Sequence, residues 1–122
     1  MTFSKESALV LGIDIGTSGV RAVLMNSKFD VVAQSSSLMT DFGPNHRSPV
    51  VWWKSLESAL EQLRIEASEQ WSQVVGISVD GTSGTMLALN NEFEPIGDAL
   101  MYNDPVENPD VLEQISQHAP RE

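Results

Sequence analysis

The sequence has no cysteine, which excludes a disulfide framework and a thiolate metal site. Basic residues are scarce, since seven lysines and arginines stand against seventeen acidic residues and give a net charge of −10. This charge disfavours nucleic acid and anionic membrane surfaces as partners, because both are negative themselves. The sequence also lacks the roughly 20 consecutive apolar residues of a membrane span and the pattern of a secretory signal. We therefore expect a cytoplasmic protein with neither nucleic-acid nor membrane partners.

The chain has 122 residues, of which 41% are hydrophobic, and this suffices for one domain with a core. Three short apolar segments, Ala8–Ile15, Val20–Met25 and Val31–Ser35, predict an antiparallel meander. Apolar residues at steps of three and four predict a helix at Pro49–Glu69. The strand predicted at Val74–Val79 follows this helix, and a strand–helix–strand order favours parallel pairing with an earlier strand.

A further hairpin is predicted from Thr85–Leu89 and Ile96–Met101, around the turn formers of "NNEFEP". The residues after Asn103 carry a short helical pattern and then stop without another closing element. These segments predict an α/β fold with a mixed sheet, a crossover helix and an additional hairpin.

The tetrapeptide Gly-Thr-Ser-Gly occurs twice, as a first turn (Gly16–Gly19) and a second turn (Gly81–Gly84). Each copy follows an apolar segment with an aspartate near its end. Each is followed by a strand and an asparagine turn that contains Phe29 or Phe93 and then an acidic residue. Turns use Gly, Ser, Thr and Asn in any case. The repeat therefore fits either convergent turn chemistry or an ancient duplication.

The first turn offers backbone N–H groups and two hydroxyls for an anion, at Gly16, Thr17, Ser18 and Gly19. Arg21 adds positive charge, and Asp14 is suited to hold Mg²⁺, so the group fits the terminal phosphates of a nucleotide. The same segment also fits a tight turn in which Asp14 bonds only local backbone. Neither a Walker P-loop nor a dinucleotide fingerprint is present, because no Gly-Lys-Ser/Thr follows and the next element is a strand.

The order of a strand, Asp-Ile-Gly-Thr-Ser-Gly-Val-Arg and two further strands resembles the phosphate-binding element of the actin-like ATPase superfamily. Within that superfamily it is most similar to the FGGY carbohydrate kinases. Trp52, Trp53 and the stretch "VVGISVDGTSGTMLALNNEFEPIGDALMYND" also resemble that family, so the resemblance runs from about Ala8 to Asp104. It implies a ribonuclease H-like fold and the use of ATP and Mg²⁺ at the first turn.

In the resembling kinases the second turn lines the sugar pocket, which implies sugar-binding roles for Asp80, Thr82, Ser83 and Thr85. The stretch "DGTSGT" differs from the Gly-Gln-Met-His turn of typical xylulose kinases and is more similar to a ribulose-kinase-like branch. Asp80 directly precedes its glycine, whereas Asp14 stands two residues ahead of its own. Because a shift of one residue turns a strand side chain to the other face, we expect Asp80 not to share the metal role of Asp14.

Asp104, in "MYNDP", matches an aromatic–x–Asp element that approaches the substrate in the family. An arginine often follows this element, but here Pro105, Val106 and Glu107 follow it. The resemblance therefore implies a substrate-binding role for Asp104 with one part of the pattern missing.

Sugar phosphorylation also requires a base for the sugar hydroxyl and a cleft that excludes water. In FGGY kinases the catalytic aspartate lies far downstream of the second turn, as do the second phosphate element and the adenosine pocket. The resemblance implies that residues 1–122 are the N-terminal part of the first lobe of a kinase for a ketopentose such as D-ribulose or D-xylulose. We expect no catalytic residue and no activity in this part alone, and self-association through exposed apolar surface.

Two alternatives remain open at this stage. One is a non-catalytic module with the actin-like fold that binds a nucleotide or a partner. The other is a different actin-like enzyme such as an acetate-type kinase, which fits the first turn but not the second.

Overall fold

The computed structural model, which describes residues 7–120, contains one four-stranded sheet. Strands β1 (Leu9–Ile15), β2 (Gly19–Met25) and β3 (Val31–Leu38) pair antiparallel in succession. Strand β4 (Val74–Gly81) pairs with β1 in parallel, which gives the order β3-β2-β1-β4. The predicted mixed sheet, with its antiparallel meander and its crossover to a parallel strand, is confirmed.

One face of this sheet packs against helix α1 (Pro49–Glu66). Alternate residues of β1 and β2 point to the helix, as the period of two in a strand requires. The helix in turn buries residues at steps of four. The core formed in this way contains Leu9, Leu11, Ile13, Val20, Ala22, Leu24, Val51, Ala59 and Leu63.

The predicted helix to Glu69 is wrong at its end. Helix α1 stops at Glu66, and a separate short helix, α2, runs over Ser68–Trp71. The break lies at Ala67, whose ψ of 40° is not helical and which is itself buried in the core. The turn there brings Trp71 back against the core, a tertiary effect that helical periodicity does not report.

Strand β3 is three residues longer than predicted, because Ser35 and Ser37 are buried against α1 rather than part of a turn. The Ser35 hydroxyl donates to the Ala59 carbonyl of α1 at 2.6 Å. The Ser55 hydroxyl on α1 donates to the Ser37 hydroxyl oxygen at 3.1 Å. The strand then continues into a single 3-10 turn at Met39–Asp41.

The predicted second hairpin is present only as two isolated antiparallel bridges, Met86–Leu100 and Leu89–Pro95. Proline has no N–H to donate to a ladder of strand hydrogen bonds, so Pro95 limits the regular pairing there. Gly97 also interrupts the extended backbone with a φ of +81°.

The two asparagine turns have the same geometry. In the first, the Asn26 side-chain oxygen accepts from two backbone N–H groups, and Phe29 has a φ of 66°. In the second, the Asn90 side-chain oxygen does the same, and Phe93 has a φ of 63°. Convergent turn chemistry and duplication both account for this match, so the two explanations stay open.

Helix α3 (Pro109–His118) is capped at its N-terminus by Asn108, whose side chain accepts from the Asp110 N–H. None of its residues is buried. Within residues 7–120, no helix is both long enough and apolar enough to cross a membrane.

The outer edge of β4 has no partner strand among the described residues. Ile77 and Val79 lie in register with the buried Leu11 and Ile13, yet they are 66% and 62% exposed. The sheet thus has an open apolar border at β4.

Candidate functional site

The two Gly-Thr-Ser-Gly turns lie side by side, because β1 and β4 are parallel and both turns follow the carboxyl ends of these strands. The Thr82 N–H donates to the Ile15 carbonyl at 3.1 Å, which ties the second turn to the end of β1. Folding therefore brings together two segments that lie 65 positions apart in the sequence, counted from Gly16 to Gly81.

A row of charged side chains crosses the sheet on the face opposite α1. Asp14 is the register partner of Arg21 on β2 and also of Asp80 on β4. Register partners on neighbouring strands point to the same face. The expectation that Asp80 faces away from Asp14 is therefore wrong, because pairing between strands, not the distance to the following glycine, decides which side chains meet.

The row contains two negative charges, from Asp14 and Asp80, and one positive charge, from Arg21. Like charges opposite one another destabilise a sheet, and Asp14 and Asp80 are such a pair. Arg21 provides the opposite charge on the other side of Asp14. The side chains of Asp14 and Arg21 have no hydrogen-bond or ion-pair partner within residues 7–120, whereas Asp80 accepts from the Gly81 N–H at 2.8 Å. The row is thus open to a ligand that carries both cationic and anionic groups.

The first turn encloses a concavity of about 240 Å³ together with the end of β3. The Gly16 N–H already donates to the Gly19 carbonyl at 2.9 Å, so the expectation that it is exposed to an anion is wrong. The N–H groups of Thr17 and Ser18 have no partner within residues 7–120. The residues that line this concavity include Asp14, Ser18, Gly19, Arg21 and Ser36, while the exposed Thr17 lies outside the lining.

A second concavity, of about 230 Å³, lies on the open face of the sheet below Asp14. Gly12 and Ser78 are among its lining residues, and their small size leaves the sheet surface accessible. Asp14 and Arg21 line this concavity as well as the one at the first turn. Asp14 therefore stands where the two spaces meet.

The third concavity, of about 280 Å³, lies at the second turn and is called here the second-turn concavity. Its polar side chains are Asp80, Thr82 and Thr85. The Thr82 hydroxyl donates to the Ile15 carbonyl at 3.4 Å, and the Thr85 hydroxyl contacts the Met101 sulfur at 3.6 Å. Ser83 is exposed and is not part of the lining.

Trp52 forms part of the wall of the second-turn concavity, next to Met101. Its indole N–H donates to the His46 carbonyl at 2.6 Å, which fixes the ring. From the sequence, Trp52 was used only as evidence of resemblance to the FGGY kinases. No role in ligand binding was predicted from the sequence for Trp52 or for Met101. The available signal was an adjacent pair of tryptophans at the start of an amphipathic helix, of which Trp52 packs against the core and Trp53 is 62% exposed.

Asp104 lies outside the three concavities and pairs with Arg47, an arginine that sequence reasoning missed. The Arg47 Nε lies 3.0 and 3.1 Å from the two carboxylate oxygens, and its terminal NH2 also contacts the carboxylate. The hydrogen bonds from Arg47 and then from the Met101 N–H lower the pKa of Asp104. This stabilisation is present at neutral pH and is lost as the pH falls through the lowered pKa.

Gly84 shapes the second turn through its backbone. Its φ is +68°, and a Cβ added there would lie 2.8 Å from the Tyr102 Cβ. We expect Gly84→Ala to lower the free energy of unfolding by roughly 1–3 kcal/mol, from backbone strain and overpacking together. Urea unfolding of the 122-residue chain measures this change.

Gly97→Ala is the matched control for Gly84→Ala. Gly97 also has a positive φ, of +81°, but nothing lies within 4 Å of its added Cβ. It should therefore show the backbone strain alone, about 1 kcal/mol. Equal unfolding free energies for the two variants would contradict the close contact between Gly84 and Tyr102.

The sheet order, the crossover helix and the neighbouring glycine turns define an α/β domain of the ribonuclease H-like, actin-like ATPase class. Residues 9–119 match the N-terminal domain of the FGGY family of carbohydrate kinases, and the chain belongs to this family.

Similar proteins of known sequence include the xylulose kinase of Lactococcus lactis, 32% identical over 99 residues, or 78% of this chain and 20% of that protein. Solved structures of xylulose kinases from Brucella ovis and Rhodospirillum rubrum superpose with TM-scores of 0.78 and 0.74, each at 25% identity. Both cover 89% of this chain, and 24% and 23% of the respective kinase chains. The chain thus spans about a fifth of the length of the curated relatives it matches.

Proposed function

We propose that this chain is the N-terminal part of an ATP-dependent kinase that phosphorylates a ketopentose. The observation that carries this proposal is the position of Asp14. It lies between the concavity of the first turn and the open sheet face, in register with Asp80, which lines the second-turn concavity. A phosphate donor at the first turn and a polyol at the second turn would therefore meet beside Asp14.

The residues at the first turn fit Mg²⁺ and the phosphates of ATP. The carboxylate of Asp14 is exposed and has no partner within residues 7–120, and the N–H groups of Thr17 and Ser18 are free there as well. Oxygen ligands suit Mg²⁺, and Arg21 and the backbone N–H groups suit phosphate oxygens. When bound, Mg²⁺ neutralises charge on the transferred phosphate. Asp14 would hold the ion, Arg21 and the first turn would hold the phosphates, and Asp80 would add a second carboxylate on the same face.

The second-turn concavity fits a sugar. Asp80, Thr82 and Thr85 offer oxygens for hydroxyl groups, and Trp52 and Met101 give apolar surface for the carbon skeleton. Ser83 and Thr17 are exposed beside these spaces and would reach a ligand only from the rim. The relatives are xylulose kinases, while the "DGTSGT" sequence favours D-ribulose, so either ketopentose is compatible with the site.

The catalytic base and the adenosine pocket belong, in this proposal, to the rest of the kinase. Part of the open border at β4 would then be covered by that remainder, and the isolated chain would self-associate through it. Cytoplasmic location fits the supply of ATP, and the net charge of −10 is unfavourable for nucleic acid or anionic lipid.

A substrate panel on the complete kinase tests the proposed function. We expect D-ribulose or D-xylulose to give the highest kcat/KM, because a site that hydrogen-bonds particular hydroxyls rejects a sugar that lacks them by up to ~10⁴-fold. ADP release with each sugar, with glycerol and with an aldohexose as comparisons, is the measurement. Preferential turnover of glycerol or the aldohexose would overturn the choice of sugar. ATP binding with no turnover of any polyol would favour a non-catalytic module.

A further inference from the structure

We propose that Arg47 is a positioning residue for the sugar: through its ion pair with Asp104 it holds the wall of the second-turn concavity and thereby sets the affinity for the ketopentose. This inference rests on the proposed function and deepens it. It also gives Asp104 a different role from that of a substrate ligand.

The ion pair has a fixed geometry. The guanidinium of Arg47 reaches both carboxylate oxygens of Asp104, and a two-point contact of this kind sets orientation as well as distance. One of the same oxygens accepts from the Met101 N–H at 2.8 Å. The carboxylate is thus engaged on both oxygens, and it anchors the backbone of Met101 instead of facing a concavity.

Two further contacts fasten the same segments. The Ala99 N–H donates to the Arg47 carbonyl at 2.9 Å, and Ala99 is 1% exposed. The Asn45 side chain donates to the Asp98 carboxylate at 2.7 Å. The loop before α1 and the segment of residues 98–104 are therefore joined at three places, and the Arg47–Asp104 pair is the one whose carboxylate also binds the Met101 N–H.

The joined segments carry the wall of the second-turn concavity. Met101 lines it and contacts the Thr85 hydroxyl, and Tyr102 packs against Gly84 in the second turn. On the other side, the carbonyl of His46, next to Arg47 in sequence, holds the indole of Trp52. Loss of the ion pair would loosen Met101, Thr85 and Trp52 together, whereas the side chains of Asp14 and Arg21 have no hydrogen bond or ion pair to these segments within residues 7–120.

The test is steady-state kinetics of Arg47→Ala in the complete kinase. We expect the KM for the ketopentose to rise at least ~10-fold, within the ~10²-fold that a displacement of about 1 Å can cost. The kcat and the KM for ATP should stay within about 2-fold, because the wall binds sugar before and during the reaction alike. Arg47→Lys should restore only part of the affinity, since an ammonium group cannot make the two-point contact.

Arg64→Ala is the matched control. Arg64 forms the other ion pair among the described residues, with Glu61 at 2.6 Å, on an exposed side of α1 and outside the three concavities. Its removal should leave both KM values unchanged. An unchanged sugar KM in a folded Arg47→Ala enzyme would overturn the inference, and so would an equal effect of Arg64→Ala.

NMR of the 122-residue chain separates this inference from the proposed function. Arg47→Ala should shift the indole N–H signal of Trp52 and the amide signals of Gly84 and Thr85, and Arg64→Ala should not. If Arg47→Ala does not fold, Asp104→Asn serves in its place, because it keeps the shape and removes the charge. If the variant shows these shifts but the wild-type kinase does not turn over any ketopentose, the proposed function is contradicted. If the variant shows no shifts, the positioning role of Arg47 is contradicted.

Discussion

The 122-residue chain on its own should show no sugar-dependent transfer of phosphate from ATP. Phosphoryl transfer depends mainly on positioning, and this chain contributes one phosphate element and one wall of a sugar site. The three concavities at the glycine turns and beside Asp14, of about 230 to 280 Å³ each, are smaller than the ~300–1,000 Å³ of typical ligand sites. Mg²⁺-ADP should therefore bind only in the ~mM range. Coupled measurement of ADP release and isothermal titration calorimetry check both statements.

The Asp14→Ala variant of the same chain is the control for trace activity. Sugar-dependent ADP release that disappears in this variant would show that the chain holds a complete site, contrary to the proposal. Light scattering after size-exclusion chromatography measures the oligomeric state of the chain and so tests whether the open apolar border at β4 causes self-association. A strictly monomeric profile at about 1 mM would contradict self-association through exposed apolar surface.

In the complete kinase, Asp14→Ala should lower kcat by at least ~10²-fold, the scale of losing one preorganised electrostatic group. Asp14 lies between the first turn and the open face, beside Arg21 and Asp80, where a Mg²⁺–phosphate group would bind. The KM for the sugar should change little, because Asp14 is not part of the lining of the second-turn concavity. Initial rates at saturating sugar, across a series of Mg²⁺ and ATP concentrations, measure the effect.

Glu57→Gln is a suitable control, since it removes one negative charge from an exposed position on α1. It should leave kcat unchanged. Near-normal turnover by Asp14→Ala would show that the metal assignment is wrong. Asp80→Asn adds a sharper comparison: a raised Mg²⁺ requirement would indicate that both carboxylates of the row serve the metal, and a raised sugar KM alone would place Asp80 with the sugar.

Much of the fold could be predicted from the sequence, because its strands and main helix have strong local patterns. The parallel pairing of β4 with an earlier strand followed from the strand–helix–strand order, and the structure shows that this strand is β1. The errors arose where tertiary contacts override such patterns. Buried serines extend β3, Ala67 breaks the long helix, and Pro95 and Gly97 reduce the second hairpin to two bridges.

The features of the candidate site also fall into those that the sequence predicts and those that depend on tertiary contacts. The sequence by itself determined the two glycine turns, the residues they carry and the membership of the FGGY family. Only the tertiary structure decided that Asp80 shares a face with Asp14, that Trp52 and Met101 form a wall, and that Arg47 pairs with Asp104 across 57 positions. The physical reason is that a turn depends on the preferences of a few adjacent residues, whereas strand register and long-range ion pairs depend on how the whole chain packs.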